Sequence, residues 1–278
     1  MNPPPSTTSL SATTHLPRII VNADDFGLHP ALNQAIELAH SQGLVTSASL
    51  MTGGQALADA VRRARRLPAL DLGLHFALVG LPGLPATFAD FFRAYARGQF
   101  PPAEVARRLR AQLNTALITH KLTLSHIDSH QHLHAFPPLM RTVCAVAQEY
   151  GIRFVRLPQD GPPFAPIGAG RRAQTAALRW MCLVSRRELF RHNLRTTDHF
   201  AGMAVSGHLS PSVLAQYIQN ARPGATEIVC HPGADNRRLS EIFPWNYNWQ
   251  GELEALLSPH ARLAADNRRA RLIAWHEL

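Results

Sequence analysis

The sequence has no long hydrophobic run and little cysteine, and each shortage excludes a class of protein. No apolar segment reaches the ~18 residues or more that a membrane-spanning helix requires. The three cysteines, Cys144, Cys182 and Cys230, are an odd number, far apart and without CxxC spacing. Neither a disulfide framework nor a zinc knuckle is therefore expected. Cys230 lies in an apolar run beside His231, where we expect a buried side chain rather than a nucleophile.

Lysine is almost absent, so the positive charge is carried by arginine. The formal net charge is +9, and Lys121 is the one lysine among the 28 basic residues. No aromatic and basic recognition motif accompanies the arginines, so nucleic acid is not an expected partner. A basic exterior would instead suit peripheral contact with an anionic membrane surface.

The chain lacks the features of a secreted or divided protein. Residues 1–17 are rich in Pro, Ser and Thr, without a basic start or an apolar stretch, so they predict a disordered tail rather than a secretory signal. We expect a cytoplasmic protein that can lie at the inner face of the membrane. With no Pro/Gly/Ser linker and no internal repeat, residues 18–278 are predicted to form a single domain. Nothing in the sequence excludes a homo-oligomer.

What the chain does contain is a regular alternation of short apolar strands and helical segments. Predicted strands cover residues 18–24, 45–51, 70–79, 122–128, 153–157, 197–204, 227–231 and 271–275. Predicted helices cover residues 30–43, 55–66, 102–120, 137–150 and the later part of 160–191, whereas 81–99 reads as a loop-rich insertion. This alternation predicts an α/β fold with a parallel sheet and helical crossovers. In such folds the functional residues gather at the carboxyl ends of the strands.

Polar clusters stand where several predicted strands end. Asp24 and Asp25 follow the first strand, His75 lies in the third, and residues 126–134 follow the fourth. Carboxylates and imidazoles delivered from separate strand ends are typical of a hydrolytic metal centre. The two aspartates could instead cap the next helix, but that helix is predicted to begin only at Pro30. His75 alone could be a hydrogen-bonded core histidine.

The cluster at the fourth strand contains more potential ligands than one catalytic ion binds. His126, Asp128, His130, His132 and His134 occupy every second position, so an extended backbone would place them on one face. A catalytic zinc-type site takes about three protein ligands. At least two of the five must therefore face substrate, support a ligand or serve the structure.

Four strand-end motifs together resemble the YdjC-like carbohydrate deacetylase family. They are residues 22–27 (NADDFG), 73–76 (GLHF), 126–130 (HIDSH) and 230–233 (CHPG), in order over most of the chain from about residue 18. Members of this family are distorted (β/α) barrels with parallel strands that remove acetyl groups from N-acetylated sugars, using a divalent metal. Residues 191–200 and 247–253 resemble the hopanoid-biosynthesis-associated branch, which implies an N-acetylglucosaminyl hopanoid lipid as substrate.

The resemblance also implies roles for individual residues. His75, His130 and Asp25 match the ligands of one divalent ion, with Mg and Zn as the candidates. Asp24 matches the general base, and His231 matches the acid that protonates the leaving amine. Which of the two aspartates ligates the ion is left open. Four further residues are expected to contact substrate or to support the ligands: Asp128, His126, His132 and Arg156.

Other functions are compatible with the same residues and the same fold. A chitooligosaccharide deacetylase would use the same site, and a phosphoesterase or amidohydrolase could use the same barrel. A phosphoesterase would prefer two ions bridged by carboxylates, and few acidic residues lie near the histidines. A non-catalytic lipid-binding protein would be expected to have lost part of the metal set, which is intact.

The insertion after the His75 strand is expected to overhang the metal site. Residues 81–100 are dense in apolar and aromatic side chains: Leu81, Leu84, Phe88, Phe91, Phe92 and Tyr95. They could form a lid with a hydrophobic cluster of its own. Alternatively, they could leave an open surface for the polycyclic body of a hopanoid.

Overall fold

The chain folds into parallel strands joined by helices. The computed structural model describes residues 16–278. Within this range the strands are β1 (Pro17–Phe26), β2 (Ser47–Leu50), β3 (Asp71–Phe76), β4 (His126–Ser129), β5 (Phe154–Val155), β6 (His199–Ala201), β7 (Gly224–Cys230) and β8 (Arg271–Leu272). They form one sheet in the order β5-β4-β3-β2-β1-β7-β6, with β8 beside β1, and the strand pairs are parallel.

Helices connect successive strands, as the alternation in the sequence predicts. They are α1 (Pro30–Gln42), α2 (Leu57–Arg66), α3 (Phe88–Ala96), α4 (Pro102–Asn114), α5 (Pro137–Glu149), α6 (Ala169–Arg191), α7 (Pro211–Gln219), α8 (Asn236–Ile242), α9 (Trp249–Leu257) and α10 (Pro259–Arg268). Among residues 16–278, no helix combines the length and the apolar character that crossing a membrane requires.

The sheet closes into a barrel through irregular contacts rather than through a regular strand pair. Phe154 of β5 bridges Arg195, and Asp160 bridges Phe200 of β6, both in the parallel sense. At the first bridge the N–H of Val155 donates to the carbonyl of Arg195 at 3.0 Å. The predicted distorted (β/α) barrel is therefore confirmed, and its distortion lies at this closure.

Strand β1 separates two kinds of packing. Ile19 and Val21 belong to the large hydrophobic cluster between sheet and helices. Ile20, on the opposite face of the strand, belongs to a small separate cluster with Phe154 and Trp275. The next residues on that face are Asn22 and Asp24, both buried. The barrel interior therefore has an apolar floor below polar layers.

Several elements differ in length from the prediction. The insertion contains α3, whose N-terminus is fixed by a capping box: Thr87 accepts from the N–H of Asp90, and the Asp90 carboxylate accepts from the N–H of Thr87. The predicted helix 102–120 ends as α4 at Asn114 and continues as the π-helical turn Thr115–Thr119. Strand β1 already includes Pro17, and the remainder of the predicted tail, up to residue 15, lies outside the described residues.

Candidate active site

The three predicted metal ligands meet at the carboxyl end of the barrel. Asp25 lies near the end of β1, His75 lies near the end of β3, and His130 directly follows β4. Oδ1 of Asp25 lies 3.3 Å from Nε2 of His75 and 3.0 Å from Nδ1 of His130. All three side chains are buried.

A tight turn after β1 presents the Asp25 carboxylate to the two imidazoles. Asp25 has a φ of 65°, in the left-handed region that non-glycine residues seldom adopt. Gly27 has a φ of 101°, and a Cβ at that position would stand 2.8 Å from the carbonyl oxygen of Met51. The N–H of Gly27 donates to Oδ1 of Asn33 at 2.7 Å, which ties the turn to α1. The strained backbone of Asp25 is thus held in place by the packing and hydrogen bonding of the turn.

The donor atoms of this group fit a divalent cation. Oδ1 of Asp25 is buried without a hydrogen-bond partner among residues 16–278. Nδ1 of His75 lies 2.8 Å from Oδ1 of Asp128, and because a carboxylate only accepts, His75 donates from Nδ1. The lone pair of its Nε2 then faces the lone pairs of Asp25. A cation bound to both atoms would relieve the repulsion between lone pairs that are 3.3 Å apart.

Without a metal, the proton of an imidazolium fills that role. Burial lowers the pKa of His75, but the carboxylates of Asp128 and Asp24 outweigh this effect and raise the pKa to about 10. Burial likewise raises the pKa of Asp25, but His130 and His75 hold it well below its usual value. A divalent ion would satisfy the same electrostatic demand, with proton release on binding.

A buried arginine occupies the neighbouring carboxylates. Nη1 and Nη2 of Arg156 donate to the two oxygens of Asp24, each at 2.8 Å. Nη1 also lies 2.5 Å from Oδ2 of Asp128, and Nε donates to Oε1 of Glu227 at 2.8 Å. Burial lowers the pKa of the guanidinium, but the carboxylates of Asp128, Asp24 and Glu227 raise it well above its usual value. Asp24, His75 and Asp128 also form a compact group, but Arg156 already neutralises its carboxylates.

Asp128 contacts both Arg156 and His75, and so connects the arginine to the group formed by Asp25, His75 and His130. Its Oδ1 contacts Nδ1 of His75, and its Oδ2 accepts from the hydroxyl of Ser49 at 2.7 Å. Burial raises the pKa of Asp128, but Arg156 and His75 hold it well below its usual value. The residue therefore orients the imidazole of His75, in the way that carboxylates fix the tautomer of metal-binding histidines in other proteins.

The expectation that residues 126–134 share one face is wrong beyond Asp128. Residues His130–Ala135 form a 3-10 turn, in which Gln131 and His132 have φ values of 55° and 53°. His130 consequently faces Asp25. Nε2 of His134 instead lies 2.8 Å from the carbonyl of Arg156, with its Nδ1 against Ser129. The ring of His132 lines the pocket, 5.9 Å from that of Phe200.

His126 lies below the site and does not line the pocket. Its ring stacks on Trp275 at 4.6 Å with an interplanar angle of 16°. Gly73 makes room for it, because a Cβ there would stand 2.3 Å from the ring. Burial lowers the pKa of His126 to about 4, and its Nε2 lies 3.3 Å from the Ser49 hydroxyl. Its contribution to the site is therefore the support of Ser49, which in turn holds Asp128.

His231 approaches Asp24 from the opposite side of the barrel. Its Nε2 lies 4.0 Å from Oδ2 of Asp24. Its Nδ1 lies 3.3 Å from the hydroxyl of Ser206 and 3.9 Å from Oε2 of Glu252. The hydroxyl of Tyr247 lies 3.1 Å from that of Ser206. Polar partners thus hold the Nδ1 side of the ring and leave Nε2 beside Asp24.

One pocket of about 580 Å³ unites these groups. It is lined by Asp24, Asp25, His75, Phe88, His130, Gln131, His132, Arg171, Gln174, Ala177, Leu178, Met181, Met203, Ser206, His231, Trp245 and Tyr247. Five of these residues belong to α6, which no motif in the sequence associates with the site. No local pattern distinguishes the residues of α6 that line the pocket from those that face outward. A larger cavity, of about 850 Å³, holds none of the predicted site residues.

The insertion contributes one side chain to the pocket. Phe88 is 43% exposed and lines it. Phe91 is fully buried against Phe92 and Phe100, and Phe92 packs on Phe136 at 5.2 Å. The expectation of a lid with a separate hydrophobic cluster is therefore wrong, because Phe91 and Phe100 belong to the main hydrophobic core and Phe92 and Tyr95 pack against it. The surface that the insertion offers to the pocket is limited to Phe88.

The chain is similar to known proteins over most of its length. The family model described as YdjC-like protein matches residues 18–267. A carbohydrate deacetylase of Homo sapiens is 30% identical over 246 residues, covering 78% of this chain and 75% of the relative. A carbohydrate deacetylase of Vibrio campbellii is 30% identical over 256 residues, covering 87% and 88%. A crystal structure from Enterococcus faecalis, of a protein described as acting in cellobiose-phosphate cleavage, has a TM-score of 0.74 at 23% identity, covering 94% and 98%.

Proposed function

Because the chain belongs to the YdjC-like protein family, we propose that it is a metal-dependent carbohydrate deacetylase, which hydrolyses the acetamide of an N-acetylated amino sugar. The observation that supports this most strongly is the group of Asp25, His75 and His130 in a pocket large enough for a sugar. The human and Vibrio relatives carry the name carbohydrate deacetylase.

The metal would be held by Nε2 of His75, Nδ1 of His130 and a carboxylate oxygen of Asp25. Two imidazoles and one carboxylate favour Zn²⁺ or a similar transition metal, because Mg²⁺ sites are built mainly from oxygen ligands and water. When bound, such an ion polarises the amide carbonyl and lowers the pKa of the attacking water. Asp128 holds His75 in the tautomer that this role needs.

The remaining groups carry the protons. Oδ2 of Asp24 takes a proton from the attacking water, while Arg156 and Asn22 hold this carboxylate in position. Nε2 of His231 donates a proton to the nitrogen of the departing amine. Ser206 orients the His231 ring through Nδ1. The products are acetate and the free amino sugar.

Replacing His231 with glutamine tests the acid. We expect kcat to fall by about 10²–10⁴-fold, the usual contribution of a general acid, while the metal stays bound. The alkaline limb of the pH–rate profile, where a required acid loses its proton, should flatten. Steady-state kinetics across pH and metal analysis of the purified variant measure both effects.

The control for this change is His132→Gln. His132 lines the same pocket but lies outside both metal-binding groups, so its replacement should leave the alkaline limb in place. An unaltered alkaline limb in His231→Gln would exclude His231 as the acid and leave the rest of the proposal standing.

The substrate that we propose is an N-acetylglucosaminyl lipid of the hopanoid type. Apolar side chains meet polar ones in the pocket, because Phe88, Leu178, Met181 and Trp245 line it together with the metal group. A sugar can occupy the polar end while the apolar aglycone contacts these side chains. Resemblance of residues 191–200 and 247–253 to the hopanoid-associated branch is the second support.

Phe88→Ser tests the lipid part of this proposal. Since burial of a phenylalanine contributes about 1.5–3 kcal/mol, kcat/KM for the glycolipid should fall about tenfold or more. The value for diacetylchitobiose should change little. Acetate release from both substrates, assayed in parallel, measures the difference.

Phe164→Ser is the matched control, because Phe164 is 41% exposed and lies outside this pocket. It should leave both substrates unaffected. If wild-type enzyme hydrolyses diacetylchitobiose and the glycolipid with equal efficiency, the protein is a chitooligosaccharide deacetylase instead.

A further inference from the structure

The outer face of α6 exposes large apolar side chains in a continuous stretch. Trp180 is 63% exposed, Leu183 is 54% exposed and Val184 is 42% exposed, while Phe190 at the end of the helix is 73% exposed. Buried residues such as Cys182 occupy the opposite face and hold the helix on the core. Single exposed apolar residues are common on proteins, but several on one helix face indicate an interaction surface.

The same helix is strongly basic. It carries six arginines and one glutamate: Arg171, Arg172, Arg179, Arg186, Arg187, Arg191 and Glu188. Glu188 is buried, and its Oε1 accepts from Arg191 at 2.7 Å. Within residues 16–278, Arg179, Arg186 and Arg187 take part in none of the salt bridges, and those of the helix go to Glu188. The outer face therefore combines apolar side chains with unneutralised positive charge.

This face adjoins the catalytic pocket. Gln174, Ala177 and Met181 line the pocket, while Trp180 and Val184, close by along the helix, are exposed to solvent. A surface in contact with Trp180 would therefore lie beside the pocket. A substrate that reaches the pocket from this face of α6 would have a short path to Asp25, His75 and His130.

From this arrangement we infer that the outer face of α6 docks on an anionic lipid bilayer. Trp180, Leu183 and Val184 would enter the interface, while the flanking arginines meet the headgroups. Amphipathic helices with a basic polar face bind membranes in this orientation, and tryptophan favours the interfacial layer. A second copy of the chain is a poorer partner, because two faces of the same positive charge repel each other.

This docking rests on the proposed function, since α6 would bring the pocket to the membrane that holds a lipid-linked sugar. It is tested without any measurement of activity, so failure of the deacetylase proposal would leave it standing, and the reverse also holds. The probe is a set of vesicles, one of pure phosphatidylcholine and one of equimolar phosphatidylcholine and phosphatidylglycerol.

We expect full-length protein to sediment with the vesicles that contain phosphatidylglycerol and not with those of phosphatidylcholine. Its tryptophan emission should shift to shorter wavelength on binding, and Trp180→Phe should remove that shift. Each arginine near an anionic surface contributes a factor of about five, so Arg186→Gln with Arg187→Gln should weaken binding about 25-fold. High salt should reduce binding in wild-type protein.

The matched apolar variants are Leu183→Ser on α6 and Leu263→Ser on α10, which are 54% and 59% exposed. The first should weaken vesicle binding, and the second should not. Equal binding to both lipid mixtures, or unchanged binding by Leu183→Ser, would overturn the inference. So would a dimer in light scattering that Trp180→Phe dissociates while vesicles stay unbound, because α6 would then be a subunit interface.

Discussion

Replacing His130 with alanine is expected to lower kcat by about 10³-fold or more, because a catalytic metal contributes several kcal/mol and each about 1.4 kcal/mol is a factor of ten. His130 is the better choice for this test than His75. His75 also holds Asp128, so its removal would disturb the network around Arg156. Metal analysis and acetate release on the same purified sample measure the loss of metal and the loss of activity.

The control is His132→Ala, which removes an imidazole from the same pocket. This variant should keep its metal. Circular dichroism should give the same spectrum for both variants and for wild type. Stoichiometric metal in His130→Ala would show that the ligand assignment is wrong, even if activity were lost.

Replacing Arg156 with methionine should have the largest effect on stability. Its guanidinium is fully buried and contacts Asp24, Asp128 and Glu227. Removal of one partner from a buried ionic network costs about 3–5 kcal/mol, because uncompensated charges remain in the interior. Urea denaturation of the variant measures the loss in the free energy of unfolding.

Glu227→Gln is the control for this change, and its effect on stability should depend on pH. Burial raises the pKa of Glu227 from 4.5 to about 7, against the opposing effect of Arg156. A raised carboxyl pKa stabilises the fold below pH 4.5, and this contribution is lost as the pH rises to about 7. Relative to wild type, Glu227→Gln should therefore gain stability across this range. When combined with Arg156→Met, it should also restore part of the lost stability. If the double variant recovers no stability, the charge of Glu227 is not what destabilises Arg156→Met.

The core of the site can be predicted from the sequence because parallel strands end at one edge of a sheet. Asp25 and His75 lie near the ends of their strands, so knowledge of the strands alone predicts that they meet. The alternation of apolar runs with helical segments was sufficient to predict the strands. The family resemblance adds the proposed roles of these residues.

What the sequence did not predict depends on contacts between distant segments. Gln131 and His132 have positive φ values that no local sequence pattern indicates, so the sequence predicts a single extended face for the histidine run where the chain in fact turns. Arg156 was among the residues expected to support the site, but its contacts with three carboxylates on three other strands are visible only in the fold. The contribution of α6 to the pocket likewise depends on how a long helix packs on the closed barrel.

The position of β1 in the sheet has a consequence for folding. Arg18 of β1 pairs with Ala225 of β7 and with Arg271 of β8, which lie far along the chain, while its third neighbour, β2, follows closely. Contacts between such distant residues form late, because closure of a long loop is entropically costly. Asp25, His75 and His130 can therefore be assembled by neighbouring strands before His231 arrives. Until then β1 has an unpaired edge, and the incomplete barrel is prone to association.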